Sequence, residues 1–440
     1  MKINKYKNFK YESIIIQTFI LSILLFALDC KAQCPTSKYG LIPVWPQNWT
    51  NTDKTNWYQM MYSKGNGFTQ LNFTWAEAQN LMDHGQIRAY VDYVKSLKST
   101  YNLKIHLSLK NPSTYVNYVP AAFTGLNFED TTLTNAYFEF ATNLIDSFAT
   151  TVDYFSIGVE SDIYFKDHPE EIDEFVTLFS NISDYVHLNY PSIKISTAVT
   201  YIYGIEINDT IWQSTKNFSD VLCITYWPLN NDFTVISTAI SDISSDMNTL
   251  LQKAGSKPIV IKEVGFPSSS LTNSSEIMQR NFIEELFWQT MYKPQIEGVE
   301  LQFLADFNSS SVNYWANFYQ VNSPIFEGYV GSLGLMDTLG THKLAYTTYL
   351  QMLDTLCTIS NIADNPKSVK LIMYPNPVNS FVTVNTEKKC LIEIYTITGS
   401  RIISTYEKNI NLAHFAPSVY LILVKDEFGK KLIMDKLVKY

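Results

Sequence analysis

Short apolar runs alternate with longer polar and apolar segments of helical period between residues 38 and 355. In the segment after the second run, the apolar positions have the spacing of one helix face. They are Ile87, Tyr90, Val91, Val94 and Leu97. This alternation predicts a parallel sheet covered by helices, and eight such units in roughly 320 residues predict a (β/α)8 TIM barrel. The predicted strands are 40–44, 68–72, 104–109, 154–160, 194–199, 221–226, 259–263 and 299–303. A doubly wound open sheet normally has a glycine-rich turn after its first strand, and this chain has none there.

The pattern changes after Cys357. Residues 358–370 are polar without a helical period and predict a linker. From 371 to 440 the chain has short alternating strands separated by turn signals, which predicts a small all-β sandwich. A chain of 440 residues is long enough for both units, so we predict a barrel domain over 33–357 and a second domain over 371–440.

The first 32 residues have the pattern of a secretory signal peptide. Four lysines within the first ten residues precede an apolar stretch at 13–28, and Ala32 is a small residue suited to the cleavage site. A retained membrane anchor is the alternative, but the stretch is shorter than the roughly 20 residues that a spanning helix needs. We therefore expect an exported mature chain with no stable membrane span.

Composition narrows the range of partners. The chain has 33 Lys and Arg against 42 Asp and Glu, a net charge of −9, which gives no general attraction to nucleic acid. An aromatic content of 14% suits a neutral substrate such as a carbohydrate. The spacing of Cys and His matches no metal site, so neither a metal nor a cofactor is expected. Export permits a disulfide between Cys34 and Cys357 at the bottom of the barrel, whereas Cys223 and Cys390 have the surroundings of core residues.

Two glutamates, Glu160 and Glu263, end the fourth and seventh predicted strands. Hydrolysis of a glycosidic bond needs one carboxyl group to protonate the leaving oxygen and another to attack the sugar. Strand alternation predicts that both glutamates face the barrel axis, that Tyr226 points into the mouth, and that Lys262 faces outward with Ile261 on the inner face. Alternatively, the glutamates form buried ion pairs, with Lys110 at the top of strand three as a partner.

Aromatic residues in predicted top-face loops are candidates for stacking on sugar rings. This set is Trp45, Trp49, Trp75, Trp227 and Trp315. Together with Lys110, these residues would line a carbohydrate-binding cleft around the two glutamates.

The region 38–355 resembles the large clan of retaining glycoside hydrolases built on TIM barrels. The residues that carry the resemblance lie at 157–160, 224–228, 257–267, 332–337 and 340–343. The resemblance implies that Glu160 is the general acid/base, Glu263 the nucleophile, Tyr226 a hydrogen-bond partner of the nucleophile, and Phe303 an aromatic platform. It therefore implies hydrolysis of a β-linked polysaccharide or oligosaccharide by a retaining double displacement, without metal or cofactor.

The chain departs from the clan at one position. Members usually have Asn directly before the acid/base glutamate, where the amide binds the sugar 2-hydroxyl, and this chain has Val159. The alternative function is therefore a surface glycan-binding protein that has kept the cleft and lost turnover.

The tail resembles the C-terminal sorting domain of the type IX secretion system. Its markers are Tyr-Pro-Asn-Pro-Val-Asn at 374–379, Ile-Tyr-Thr-Ile-Thr-Gly at 394–399, Pro-Ser-Val-Tyr at 417–420 and the basic end at 436–440. The resemblance implies that the type IX machinery is a partner and that the mature protein is secreted or held at the cell surface.

Overall fold

The structure of the protein is a computed structural model. It describes residues 37–321, 323–363, 372–385, 390–396, 401–425 and 431–440. The predicted signal peptide at 1–32, Cys34 and most of the predicted linker lie outside the described residues. Among the helices of the described ranges, none is long and apolar enough to cross a membrane.

A ring of parallel strands forms the centre of the first domain. The strands are Tyr39–Ile42 (β1), Phe68–Phe73 (β2), Lys104–Ser113 (β3), Tyr154–Val159 (β4), Lys194–Ser196 (β5), Ala198–Thr200 (β6), Leu222–Tyr226 (β7), Ile259–Val264 (β8) and Ile296–Gln302 (β9). They pair in the orders β2-β3-β4-β5 and β6-β7-β8-β9-β1. The fifth barrel strand is interrupted at Thr197, so β5 continues directly into β6. On the other side, the Gly67 amide donates to the Tyr39 carbonyl at 2.9 Å, where β1 lies beside β2. The predicted (β/α)8 barrel is confirmed.

Helices cover the outside of the barrel and fill the connections between its strands. They are Asn51–Ser63 (α1), Trp75–Asp83 (α2), Ile87–Tyr101 (α3), Thr131–Phe148 (α4), Ser161–Asp167 (α5), Ile172–Asn189 (α6), Thr210–Thr215 (α7), Ile243–Ala254 (α8), Glu276–Met291 (α9), Ser309–Phe318 (α10), Pro324–Val330 (α11) and Leu344–Ala363 (α12). Capping boxes begin two of them, Thr50 with Asp53 at α1 and Thr74 with Glu77 at α2. On α3, Val94 and Leu97 are buried, and the rest of the predicted apolar face packs against the same core.

The bottom of the barrel interior is apolar and tightly packed. Phe68, Tyr154, Ala198, Val221, Cys223 and Val260 form this cluster. A Cβ added at Gly298 would lie 2.4 Å from the ring of Phe68, so only glycine fits at that point of β9. Cys223 is buried and free, as predicted for a core residue. Above this layer the interior becomes polar, and this is where the candidate site begins.

The second domain consists of two antiparallel sheets. Its strands are Ile372–Tyr374 (β10), Phe381–Asn385 (β11), Leu391–Thr396 (β12), Arg401–Thr405 (β13), Asn409–Asn411 (β14), Ser418–Lys425 (β15) and Lys431–Lys439 (β16), in the orders β10-β11-β14 and β13-β12-β15-β16. Buried residues of both sheets, among them Val382 and Ile422, form one core, which includes the free Cys390. The predicted all-β fold is confirmed.

The end of the barrel domain differs from the predicted boundary. Helix α12 continues to Ala363, past the predicted end at 357. Cys357 lies on this helix and is disulfide-bonded. Its predicted partner, Cys34, lies outside the described residues, so the pairing stays a prediction.

Candidate active site

Glu160 directly follows β4 at the carboxyl end of the barrel, where TIM-barrel enzymes carry their chemistry. Its carboxylate is held by two hydroxyl groups from other strands. Thr114, at the end of β3, donates to Oε2 at 3.0 Å, and Thr225, on β7, donates to Oε1 at 2.9 Å. Both oxygens of Glu160 are therefore fixed, and Thr225 is fully buried beneath them.

The backbone around Glu160 has left-handed conformations at three points. The φ values are +83° at Gly158, +52° at Glu160 and +51° at Thr114. Glycine adopts this region readily, but a glutamate and a β-branched threonine there are each strained by roughly 1–2 kcal/mol. The Thr114 amide donates to the Val159 carbonyl at 3.1 Å, which ties the two strained turns together. Such strain is characteristic of functional sites.

Glu263 lies near the carboxyl end of β8, and its Oε1 is 2.9 Å from the Nζ of Lys262. Our prediction that Lys262 faces outward is wrong, because its side chain is fully buried inside the barrel. Its Nζ also lies 3.2 Å from the Oγ of Ser108 on β3 and 3.4 Å from the Oδ1 of Asn72 on β2.

A bulge in β8 explains this difference. The pairing of β7 with β8 goes from Ile224 opposite Ile261 to Thr225 opposite Glu263, so Lys262 has no opposing residue. Two consecutive side chains, Lys262 and Glu263, consequently face the interior. The alternation below the bulge is also the reverse of our prediction, since Ile261 packs in the core outside the barrel.

The two glutamates have opposite electrostatic surroundings. Burial raises the pKa of Glu160, and the nearby Glu263 carboxylate raises it further, against the lowering effect of the two threonine hydroxyls. Burial alone would also raise the pKa of Glu263, but the ammonium groups of Lys262 and Lys110 bring it below its ordinary value. One carboxyl group therefore tends to be protonated and the other ionised, which is the division of roles between an acid and a nucleophile.

Tyr226 lies elsewhere than predicted. On β7 the inward side chains are Cys223 and Thr225, so Tyr226 points toward the helices instead of into the mouth. Its hydroxyl donates to Oδ2 of Asp246 on α8 at 2.5 Å, and its ring stacks on Phe282 of α9. Tyr226 therefore joins the barrel wall to its helical layer, and the predicted contact with the nucleophile is corrected.

The prediction that Trp75 stacks on a sugar ring is also wrong, because Trp75 belongs to the core. It is 1% exposed and stacks between Phe123 and Phe140. A side chain so enclosed presents no face to a sugar. Asn111, at the end of β3, fixes the start of α2 by accepting a hydrogen bond from the Trp75 amide at 2.6 Å.

The other predicted aromatic residues are half-buried around the upper part of the barrel. Trp45 and Trp49 lie together in the β1–α1 loop, with ring centroids 5.9 Å apart. Trp227, directly after β7, meets Tyr329 edge-on, and Phe303, after β9, packs on Phe307. Trp315 lies on α10 among other aromatic rings. Their contacts with a sugar stay a prediction.

Lys110 lies among the charged groups of the site. Burial lowers the pKa of this ammonium, whereas the carboxylates of Glu263, Glu77 and Glu160 raise it in opposition. Lys110 therefore lies near both glutamates, and its contact with a substrate stays a prediction.

Sequence reasoning missed two tyrosines of the β9–α12 connection. Tyr319 and Tyr329 both interact electrostatically with Glu160 and Glu263, and burial raises the pKa of both phenols. The signal that would have found them is the aromatic content of residues 314–329, which lie in a long insertion after the last barrel strand. Such insertions shape the binding sites of TIM barrels.

The segment 332–343, which contributed to the resemblance, has a structural role. Lys343 reaches the Oδ1 of Asp306 at 2.7 Å and the carbonyl of Gly334 at 2.9 Å. This buried ion pair fastens the end of the insertion to the chain after β9.

One group among the described residues has the spacing of a metal site, namely His168, Glu170 and Glu171. The Glu171 carboxylate already accepts hydrogen bonds from the Phe128 amide and the Tyr164 hydroxyl. These bonds account for its burial without a metal ion.

Comparisons with known proteins agree with both domains. Residues 372–439 match the family model of the secretion system C-terminal sorting domain, which confirms the predicted type IX tail. A comparison with curated protein sequences gives no match.

Solved structures share the barrel fold. An exo-β-1,4-mannosidase from Opitutaceae bacterium strain TAV5 superposes with a TM-score of 0.56 at 15% identity, over 74% of this chain and 60% of that one. A GH5_18 protein from Streptomyces cattleya, in complex with GlcNAc, gives 0.56 at 13% identity over 79% and 84%. A GH5_18 variant from Bifidobacterium longum subsp. longum ATCC 55813, in complex with Manβ1-4GlcNAc, gives 0.54 at 14% over 78% and 81%. At these identities the likeness is one of fold.

Proposed function

We propose that this chain is an exported glycoside hydrolase that cleaves β-linked glycans by a retaining double displacement, with Glu160 as acid/base and Glu263 as nucleophile. The observation that carries the proposal is the pair of carboxyl groups at the carboxyl end of one barrel, of which Glu160 is held by two threonine hydroxyls and Glu263 by an ammonium group. These surroundings move the two pKa values in opposite directions. A purely structural pair of glutamates would need no such difference.

The first step would use the ground-state protonation of the pair. Glu160 transfers its proton to the glycosidic oxygen, while Glu263 attacks the anomeric carbon and forms a glycosyl ester. After the transfer Glu160 is ionised, and the hydroxyls of Thr114 and Thr225 donate to the new carboxylate. Because these hydrogen bonds favour the charged form, they assist proton release.

The second step would follow from the loss of one charge. When Glu263 becomes an ester, its negative charge no longer raises the pKa of Glu160. The pKa of Glu160 therefore falls, so Glu160 stays ionised and is available as the base that takes a proton from the attacking water. Water attacks the anomeric carbon, Glu263 leaves as a carboxylate, and the sugar keeps its configuration.

A contact between two connections at the mouth of the barrel favours action at a chain end. Tyr118, in the loop after β3, stacks on Phe318 of α10 with ring centroids 5.5 Å apart. The connections after β3 and β9 therefore meet at the carboxyl end of the barrel, and we infer that this contact closes one side of the cleft. A glycan chain would enter from the side of β4 to β7 and stop at this contact. Together with the mannosidase and the Manβ1-4GlcNAc complex among the structural neighbours, this makes terminal β-mannosides the first substrates to test.

The alternative is a glycan-binding protein without turnover. Val159 is buried and offers no side-chain hydrogen bond to a sugar hydroxyl, which is the observation in its favour.

The test is hydrolysis by residues 33–440 of aryl β-mannoside, aryl β-glucoside and β-1,4-mannooligosaccharides. We expect Glu160→Ala and Glu263→Ala each to lower kcat/KM by about 10²–10⁴ on an unactivated substrate. Glu206→Ala, at an exposed glutamate, is the matched control. Azide added to Glu263→Ala should give the α-glycosyl azide by single displacement, and added to Glu160→Ala it should give the β-azide.

Each other result has a definite meaning. Binding of a glycan without cleavage by the unmodified chain would favour the alternative. Release of internal fragments from a polymer would contradict the closed side of the cleft, and inversion at the anomeric carbon would contradict the retaining mechanism.

Export is the second part of the proposal and rests on the sorting-domain match at 372–439. In the native host, a chain ending at residue 371 should accumulate inside the outer membrane, while the complete chain reaches the surface or the medium. Equal surface amounts of the two would contradict a sorting role for the tail.

A further inference from the structure

Lys262 is an unusual residue for the interior of a barrel. Its side chain is 0% exposed, and an ammonium group removed from water is destabilising by several kcal/mol unless it is paired. Its three N–H donors have three acceptors: Oε1 of Glu263 at 2.9 Å, Oγ of Ser108 at 3.2 Å and Oδ1 of Asn72 at 3.4 Å. The donors of Lys262 are thus fully used, which holds the ammonium at one position.

The ionised partner of Lys262 is Glu263. A second buried carboxyl group, Glu300 on β9, also interacts with Lys262, but burial raises its pKa well above the ordinary value. Burial therefore favours the protonated form of Glu300. The raised pKa of Glu160 keeps that group protonated over a wider range as well.

We propose that Lys262 is the positioning residue of the nucleophile: from inside the barrel it holds Oε1 of Glu263 and keeps that carboxylate ionised. The proposal rests on the proposed role of Glu263. The bulge in β8 makes it feasible, because it brings two consecutive side chains to the interior. The ammonium and the carboxylate it serves are therefore neighbours in the chain, and no loop movement can separate them.

Ser108 and Asn72 act on Lys262 rather than on Glu263. Ser108 is fully buried on β3 and also accepts a hydrogen bond from Ser156 of β4 at 3.0 Å. These hydroxyls lie below the ammonium and direct it upward to the carboxylate. These hydrogen bonds join residues of β2, β3, β4 and β8. The orientation of the Glu263 carboxylate therefore depends on the closed ring of strands.

The role of Lys262 predicts unequal effects on the two steps. An adjacent ammonium stabilises the free carboxylate more than the neutral ester. Removing it makes Glu263 a poorer leaving group, so breakdown of the glycosyl ester slows more than its formation. Lys262→Met should therefore lower kcat more than kcat/KM and should produce a burst of the first product.

The decisive measurement is the acid limb of kcat/KM against pH for Lys262→Met, whose side chain has nearly the same length. Loss of an opposite charge in contact shifts a carboxyl pKa upward by roughly 1–3 units, so the limb should move to higher pH by that amount. Ser108→Ala keeps the ammonium but loosens it, and it should move the limb less. The other titratable groups that interact with Glu263 stay in place: Lys110, Glu160, Cys223, Glu300, Tyr319 and Tyr329.

A second readout needs no activity. In the unmodified chain the folded pKa of Glu263 is lowered, so its ionisation stabilises the fold above the unfolded pKa of about 4.3, and this contribution is lost as the pH falls through the folded pKa. The Tm advantage over Glu263→Gln should therefore grow with pH across that window.

In the Lys262→Met background the sign should reverse. Glu263 is then buried beside Glu160 without its closest cation, its folded pKa lies above about 4.3, and its ionisation opposes folding. The Tm difference between Lys262→Met and Lys262→Met/Glu263→Gln should fall as the pH rises from about 4.3 through the raised folded pKa.

The outcomes separate the two proposals. If no chain hydrolyses any glycan but the Tm slopes have opposite signs, the proposed function fails and the pairing of Lys262 with Glu263 stands. If the unmodified chain is active and Lys262→Met changes neither the acid limb nor the sign of the slope, Lys262 only fills space and this inference is overturned.

Discussion

Thr225→Val tests the protonation of Glu160 most directly. Valine has nearly the same shape as threonine, but it lacks the hydroxyl that donates to Oε1 of Glu160 at 2.9 Å. Thr225 is fully buried, so water has no route to replace that donor. The substitution therefore removes one hydrogen bond to the charged form of the acid/base and leaves the bond from Thr114 in place.

The size of the effect follows from this one bond. A hydrogen bond to a charged group contributes about 1.5–3 kcal/mol, and one pKa unit corresponds to about 1.4 kcal/mol. Because the Thr225 hydroxyl favours the ionised form, its loss should raise the pKa of Glu160 by about 1–2 units. The free energy of unfolding should fall by a similar amount at a pH where Glu160 is ionised, and this loss should disappear at a lower pH where Glu160 is protonated.

The assay is kcat/KM against pH, whose basic limb reports the general acid of the free enzyme. We expect this limb to move upward by about 1–2 pH units. On a substrate whose leaving group needs protonation, kcat should also fall, since the ionised product of proton transfer is less well stabilised. An aryl glycoside with a strongly acidic phenol needs no such help, and its first step should be unchanged.

Thr142→Val is the matched control, because Thr142 is buried but donates only within helix α4. It should leave both limbs in place. A basic limb that stays fixed or moves down in Thr225→Val would refute the assignment of Glu160 as the acid, whatever the effect on overall rate.

Three further substitutions test the corrected positions. Trp75→Ala should lower the free energy of unfolding by about 3–5 kcal/mol in a denaturant titration and leave KM unchanged, since the ring is core. Tyr226→Phe should lower the free energy of unfolding by about 1–3 kcal/mol, because one oxygen of Asp246 loses its hydrogen bond. A changed acid limb of kcat/KM against pH in this variant would instead indicate that Tyr226 acts on the nucleophile. Lys343→Met leaves Asp306 buried without its cation and should destabilise by about 3–5 kcal/mol at neutral pH. The pKa of Asp306 is raised to about 6 even though Lys343 lowers it, so without Lys343 the carboxyl group is protonated at still higher pH. The loss should therefore shrink as the pH falls toward about 6 and be absent below that value.

The strands could be predicted because both faces of a barrel strand are buried. A run such as 154–159 is apolar enough to identify without any knowledge of its neighbours, and all six residues are buried in the structure. The inward direction of Glu160 was correct for the same reason, since β4 is regular as far as Gly158. The tail was predictable from ordered local markers, which the match over 372–439 confirms.

Alternation failed where pairing between strands is irregular. The bulge that turns Lys262 inward arises from the pairing of β8 with β7. No residue type within 259–264 indicates that a bulge is present. On β7 the choice between Thr225 and Tyr226 as the inward residue was equally open, because both are compatible with either face. The error was to interpret the large aromatic side chain of Tyr226 as a cleft residue. Its hydroxyl instead donates to Asp246 in the helical layer.

The roles of the two glutamates are a tertiary property in the same sense. Glu160 and Glu263 follow similar apolar runs, yet hydroxyls surround one and an ammonium contacts the other. These partners come from other strands or from a bulge, so sequence spacing indicates a pair and leaves open which member is the acid.

The same reasoning applies to Val159. Its carbonyl accepts the Thr114 amide, a bond that any residue at this position supplies, so the substitution leaves the support of Glu160 intact. What it removes is a side-chain contact to the sugar, and that loss should appear in substrate choice and KM before it appears in the protonation of the acid.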